Sequence, residues 1–306
     1  CCVHRGRQEG CPPVLLYSDE DKYDEAAQTF VFPNKKKKFN LDLILSNNYI
    51  CHFTAVEAGL LKRLKLRGDY DGAQDYDLVL RIVDSLWPED AIVPDQARIC
   101  HIPKVLYHWR SHRDSTALNT GSKTYAYEAG RRALADFCKR RGFLAQVEHS
   151  LHLGFYRIVY EPDLLTVRRD AGIVGGRILD EKGRVFAGGY DKEGQCLYKG
   201  LPARFTGGST HLAVLRQNCA AVDIRCMRLQ KELRPLFTEI TGLPYREKTL
   251  RVKEGRGRKT REIRIADVAG LTCDEAGYRK LGMALGEAVR REGYLVVWDP
   301  GITIRL

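Results

Sequence analysis

Short apolar runs that break off in acidic or glycine-rich turns alternate with amphipathic, capped segments, and this alternation constrains the fold more than any other feature. "PPVLLYSDED" reads as a buried strand from Val14 to Tyr17 that ends in an acidic cluster. "LILSNNYICHF" (43–53) reads as a second extended stretch, and "TAVEAGLLKRL" opens a helix on a Thr54/Glu57 capping box. "DGAQDYDLVLR" (71–81) places Asp71, Asp75 and Asp77 at a helix start, followed by Leu78, Val79, Ile82 and Leu86 at helical spacing. "ICHIPKVLYHW" (99–109) is strand-like, and a long helix over 124–141 closes at Gly142. Strands and helices in alternation imply an α/β layer fold.

The pattern restarts after "FYRIVYEPD" (155–163). "LLTVRRD" reads as a helix, "AGIVGGRILD" as a strand and "QNCAAVDIRCMRL" as another buried strand. A Thr272/Glu275 capping box opens a helix that ends near Gly293, and "YLVVWDPGITIRL" forms the last strand. Two modules in tandem follow, with the boundary between 145 and 160.

With 306 residues, 44% of them hydrophobic and 29% charged, the chain can bury a full core and hold two domains. No apolar run reaches the roughly 18 residues of a membrane span. The chain opens on Cys1 rather than Met, so it reads as a piece of a longer protein. Ten cysteines without a C-x-x-C pair indicate reduced thiols and a cytoplasmic setting. Cys1, Cys2, His4 and Cys11 resemble half of a zinc site, but no second half follows at finger spacing. The net charge of +11 is concentrated in the second half, where 246–264 carries nine basic and three acidic residues. That segment reads as a solvated β-hairpin, with Leu250 and Val252 on one arm and Ile263 and Ile265 on the other. Its charge also suits an anionic partner such as a membrane surface.

Three motifs carry candidate chemistry. Asp19 and Asp21 end an apolar strand two residues apart, an arrangement that fits either a hard divalent cation or an acidic surface loop. Asp75 in the first turn of a helix gains roughly 0.3–1 kcal/mol from the dipole, and the same placement suits a general base. His108 and His112 lie four apart without the glutamate of a metalloprotease, so one of them can complete a metal site or both can be structural. The sequence has no P-loop, G-x-G-x-x-G or G-x-S-x-G, which disfavours the common nucleotide hydrolases, dehydrogenases and α/β-hydrolases.

Taken together, "LYSDEDK", "FNLDLILSNNYICHF", "GAQDYDLVLRI" and "HIPKVLYHWRSHRDSTA" resemble the C-terminal part of a bacterial family 2 glycosyltransferase of polysaccharide and rhamnan-type synthesis. "AGIVGGRILDEKGRVFAGG", "GLPARFTGG", "LRQNCAAVD" and "EGYLVVWDP" look like a second such module. The resemblance implies a GT-A-like, Rossmann-related mixed sheet flanked by helices, in two partial modules over 1–148 and 149–306. It also implies a nucleotide-sugar donor, a divalent Mg²⁺ or Mn²⁺, inversion at the anomeric carbon, and a glycan or lipid-linked glycan acceptor on the inner membrane face.

By the same resemblance Asp75, in "QD" where the family carries "ED", deprotonates the acceptor hydroxyl, and His112 matches a late metal- or phosphate-contacting position. Asp19-Glu20-Asp21 is a literal D-x-D, but by register it matches a later acidic strand end. The family's donor-binding strands precede that point, so the first module reads as N-terminally truncated. At Leu281-Gly282 the second module lacks the matching carboxylate and reads as non-catalytic. The alternative is a degenerate, non-catalytic scaffold that binds glycan or an anionic membrane through 246–264. A nucleic-acid partner is not expected, since no recognition motif accompanies the basic run.

Overall fold

The computed structural model describes residues 12–111, 124–254 and 259–305. The chain divides into two compact units, Cys1–Glu161 and Pro162–Leu306. Both are mixed α/β, and the seam at 161/162 lies beyond the 148/149 boundary expected from the sequence because a β-hairpin completes the first unit.

Strand β1 (Leu15–Asp24) organises the first unit, with Leu15 and Tyr17 fully buried. Its second half pairs antiparallel with β2 (Thr29–Asn34), and its first three residues pair antiparallel with β3 (Thr54–Val56). Along its other edge runs β4 (Ile99–Ser111), parallel over the full length. The β1–β4 register shifts on both sides of Asp19, where Pro103 sits in β4; proline cannot donate to a ladder and belongs at such a bulge.

Two expectations for this region fail. Residues 43–53 are not extended. They begin in a single helical turn, α1 (Leu41–Ile44), because Asn40 accepts the Leu43 N–H at 3.1 Å and caps it, and irregular chain follows. The Thr54/Glu57 capping box does not form either. Thr54 is drawn into β3 by β1, and Glu57 alone caps α2 (Ala58–Leu64), accepting from Gly59 and Leu60 N–H at 2.7 and 2.6 Å.

Helix α3 (Gln74–Ser85) buries Tyr76, Leu78, Val79, Leu80, Ile82 and Val83, the face its periodicity foretold. Against it packs α4 (Thr124–Arg140), with an Arg140–Asp84 ion pair at 2.7 Å between them. The hairpin of β5 (Ala145–His149) and β6 (Tyr156–Tyr160) covers α4. The Tyr156 backbone N–H donates to Ser46 O at 2.8 Å, which fixes the chain after α1.

The second unit begins with the one-turn α5 (Leu164–Val167), capped by Asp163, and is built on β7 (Ala171–Leu179). Short strands β8 (Val185–Ala187), β9 (Gly189–Tyr190), β10 (Gln217–Asn218), β11 (Ala221–Val222) and β12 (Met227–Leu229) follow. The expected single strand over 217–229 is thus three short pieces, interrupted by a 3₁₀ turn at Ile224–Cys226 that Asp223 caps.

Next come α6 (Arg234–Thr241) and the hairpin β13 (Glu247–Glu254) and β14 (Lys259–Ala266), which pairs Leu250 with Ile263 as its alternation implied. Helix α7 (Glu275–Arg291) is capped by Asp274, whose carboxylate accepts Gly277 N–H at 2.8 Å, rather than by Thr272. The last strand, β15 (Leu295–Arg305), pairs parallel with β7. No described helix is long and apolar enough to cross a membrane.

Close backbone approach sets two glycine positions in this unit. A Cβ on Gly282 of α7 would lie 2.6 Å from Val222 O, so close packing against backbone fills the position that matches the first module's carboxylate. A Cβ on Gly176 of β7 would lie 2.1 Å from Ile302 O, beside the Trp298 Nε1–H bond to Gly176 O at 3.1 Å. Gly176→Ala is expected to cost about 2–3 kcal/mol in denaturant unfolding, because the obstacle is backbone that cannot turn aside. Gly68→Ala, which meets nothing within 4 Å, is expected to change stability by no more than about 0.5 kcal/mol.

Candidate functional site

The acidic end of β1 divides its three carboxylates among different partners. Asp19 accepts the Lys36 backbone N–H at 2.9 Å, and its Oδ1 lies 2.7 Å from His101 Nε2. Asp21 Oδ1 lies 2.5 Å from His108 Nδ1. The D-x-D aspartates therefore each face their own histidine, and neither joins a group of three metal-ligating side chains among the described residues. His112, the third residue of the expected metal set, lies outside the described residues, as does the Cys1, Cys2, His4, Cys11 cluster.

Glu20, between them, is the residue that builds a site. Its Oε1 accepts from Asn34 Nδ2 at 2.9 Å, and its Oε2 accepts from His52 N–H at 3.0 Å and Trp109 Nε1–H at 2.9 Å. The Lys36 ammonium stands 3.7 Å from Glu20 Oε2 and is almost wholly enclosed. It donates to Ile50 O at 3.2 Å and to His52 O. Burial holds the Lys36 ammonium below the usual lysine range, and the Glu20 charge works against that shift. An enclosed ammonium and carboxylate tolerate burial only when paired and hydrogen-bonded, and here both are. The outcome is a fixed path for residues 50–53.

Asp75 occupies the first turn of α3, as its spacing implied. The N-cap residue Ala73 provides no side-chain cap, and Asp75 Oδ2 instead accepts from Asn48 Nδ2 at 3.0 Å. Asn48 Oδ1 is buried with no hydrogen-bond partner. Cys51 and His52, on the loop that Lys36 holds, come up to Asp75, and one ligand atom from each of the three lies within 4.8 Å of the others. Burial, and then the Asp75 charge, push the Cys51 thiol well above its ordinary range. Burial pushes the His52 imidazole down, against the pull of Asp75 and Glu20, which favours the neutral ring. His52 stacks on Tyr107 at 5.3 Å and meets Trp109 edge-on at 4.7 Å, so aromatic faces wall this side.

The other two aspartates of the opening motif differ in kind. Asp71 is exposed. Asp77 is fully buried and accepts from Arg67 Nε at 3.1 Å and Arg81 Nε at 2.9 Å, while Arg67 reaches on to Asp136 at 2.8 Å. Asp77 therefore lies in the first turn of α3, as its spacing implied, and also anchors the α3–α4 pair. Glu20, Lys36, Asn48, Cys51, His52 and Trp109 escaped sequence reasoning. The signal that existed was Asn47-Asn48, a turn-forming pair inside a stretch otherwise read as strand.

Comparison with known proteins gives partial matches. Over 127 residues, 41% of this chain, it is 38% identical to the uncharacterized protein y4gI of Sinorhizobium fredii. Over 148 residues, 48% of this chain, it is 33% identical to the O-antigen biosynthesis protein RfbC of Myxococcus xanthus. The aligned segments make up 13% and 11% of those proteins, so the chain corresponds to a small part of each. No family model matches the chain, and no solved structure matches it significantly.

The three aspartates of 71–77 should separate in unfolding experiments. Asp77→Ala leaves two arginines without their buried partner and is expected to cost about 3 kcal/mol. Asp71→Ala is expected to stay within about 0.5 kcal/mol of the parent chain. Chemical denaturation of both variants checks the assignment.

Proposed function

We propose that this chain is the acceptor-side part of an inverting glycosyltransferase of polysaccharide synthesis, with Asp75 as the general base. The reading takes the GT-A-like fold and the nucleotide-sugar donor from the family resemblance. The similarity to an O-antigen biosynthesis protein supports a polysaccharide acceptor. The observation that carries it is the placement of Asp75. It is half-buried at a helix N-terminus, hydrogen-bonded by the neutral Asn48 amide and flanked by Cys51 and His52, while Asp19 and Asp21 face histidines and Glu20 faces Lys36 and three N–H donors.

In the reaction an acceptor hydroxyl attacks the anomeric carbon of the donor sugar, its proton passes to an Asp75 carboxylate oxygen, and the nucleoside diphosphate leaves from the opposite face. A carboxylate is a strong enough base here because the proton moves as the C–O bond forms. Tyr107, His52 and Trp109 offer aromatic faces against which a sugar ring can lie.

The divalent Mg²⁺ or Mn²⁺ that accompanies a nucleotide-sugar belongs to this proposal. The described residues do not form an all-oxygen cage for it, since Asp19 and Asp21 are each turned to a histidine. The second unit, with glycine packed at the position of the sought carboxylate, would serve without chemistry. The setting proposed is the cytoplasmic side, at or near the membrane that carries the growing glycan.

The non-catalytic alternative uses the basic hairpin to hold glycan or an anionic membrane. Several of its cations are already engaged: Arg251 with Glu262 at 3.1 Å, Lys248 with Asp267 at 3.3 Å and Arg264 with Asp163 at 3.0 Å. Exposed pairs of this kind are worth little, but they reduce the field the hairpin presents.

The test joins this chain to the donor-binding strands that the family places upstream and measures transfer from labelled UDP- and dTDP-sugars with Mn²⁺ to lipid-linked glycan. Transfer by the joined protein is expected, and Asp75→Asn is expected to lower it by about 10²–10⁴-fold with acceptor affinity by calorimetry nearly unchanged. Absence of transfer by the joined protein, or transfer undiminished in Asp75→Asn, would overturn the proposal.

A further inference from the structure

Cys51, His52 and Asp75 bring sulfur, nitrogen and oxygen together at one point, and the sugar-transfer chemistry requires neither the thiol nor the imidazole. We propose that these three side chains form a binding site for a borderline transition-metal cation of the Zn²⁺ class. The geometry is the first support: one ligand atom from each residue falls within 4.8 Å of the other two, the span of a shared coordination sphere. Cys51 Sγ also lies 2.9 Å from His52 Nδ1 and 3.2 Å from His52 Nε2, so thiol and ring already converge.

The second support is independent of the ligands. Asn48 donates through Nδ2 to Asp75 Oδ2 while its own Oδ1 is buried without a partner. The amide thus orients the carboxylate, and the same side chain carries a buried oxygen without a partner. Outer contacts hold the remaining ligands: the His52 N–H donates to Glu20 at 3.0 Å, and its ring is set against Tyr107 and Trp109. Such support around a metal's ligands governs affinity nearly as much as the ligands themselves.

The donor set determines the class of metal. A thiolate and an imidazole suit Zn²⁺ and its neighbours and disfavour Mg²⁺, Mn²⁺ and Ca²⁺, which prefer oxygen. This site is therefore chemically distinct from the Mg²⁺ or Mn²⁺ that would accompany a nucleotide-sugar. Three protein ligands leave a fourth position for water in a tetrahedral site. On binding, the Cys51 S–H proton leaves to solvent, so thiolate and carboxylate together balance the 2+ charge. The nearby Lys36 and Glu20 charges offset each other.

One consequence rests on the function proposed above. A cation held by the Asp75 carboxylate competes with the acceptor's proton for that group, so the metal would inhibit transfer. The binding itself does not depend on that reading and is measured without any sugar.

Co²⁺ serves as the probe, added to the reduced, metal-free 306-residue chain and followed by absorption. One equivalent is expected to give a near-ultraviolet thiolate-to-cobalt charge-transfer band and the intense visible bands of a tetrahedral site, both removed by added Zn²⁺. Cys51→Ser is expected to abolish the charge-transfer band, and Asp75→Asn and His52→Ala to weaken binding by roughly tenfold or more. Cys196→Ser, Cys219→Ser and Cys273→Ser, each checked for native circular dichroism like the others, are expected to keep band and affinity. No band in the parent chain would overturn the proposal, as would a band that survives Cys51→Ser or Asp75→Asn at unchanged affinity. Loss of transfer with the cobalt spectrum intact would count against the transferase reading alone.

Discussion

Lys36 carries a positive charge into the interior of the first unit, and the candidate site depends on how that charge is satisfied. An unpaired ammonium at such depth would cost several kcal/mol. Here it has the Glu20 carboxylate at 3.7 Å and two carbonyls, those of Ile50 and His52. The two carbonyls belong to a segment with no regular structure, so satisfying Lys36 dictates where that segment runs. Glu20 reinforces the same path by accepting the His52 N–H and ties it to β4 through the Trp109 indole. Cys51 and His52 arrive beside Asp75 as a result, and the aromatic wall of Tyr107 and Trp109 is set by the same contacts.

Three aspartates within seven residues come to three different ends. Asp77 faces inward at the second position after Asp75 and is enclosed by arginines, which fixes α3 against α4. Asp71 stays in solvent. Asp75 sits between these extremes, held by the neutral Asn48 amide and only half-buried. A similar sorting occurs on β1, where histidines take Asp19 and Asp21 while Glu20 supports the loop. In both motifs partner and burial, rather than residue type, decide which carboxylate is available for chemistry.

Much of the framework was legible in local pattern. The strand at 99–109, the helices at 74–85 and 124–140, the hairpin at 247–266 and the last strand follow from periodicity and caps, which depend on nearby residues. Position 75 was legible too, from its place before the apolar face of α3. What was hidden depends on distant partners. Nothing in "KKKK" marks Lys36 as the buried lysine, because the carbonyls that receive it lie 14 and 16 residues away. The apolar letters of 43–53 resemble a strand, yet the Asn40 cap and the pull of Lys36 on two carbonyls give a turn and an irregular loop. Thr54 could not be assigned from its capping box because pairing with β1 decided its state.

The central claim is that glycan is received by the first unit, at the loop Lys36 holds and the aromatic end of β4, rather than by the basic hairpin of the second. Hydrogen–deuterium exchange of the full chain, with and without a lipid-linked polysaccharide acceptor, localises that contact directly. Slowed exchange at residues 48–53 and 107–110, with 247–266 unaffected, is the result this account predicts. Protection confined to 247–266, with none at 48–53, would contradict it.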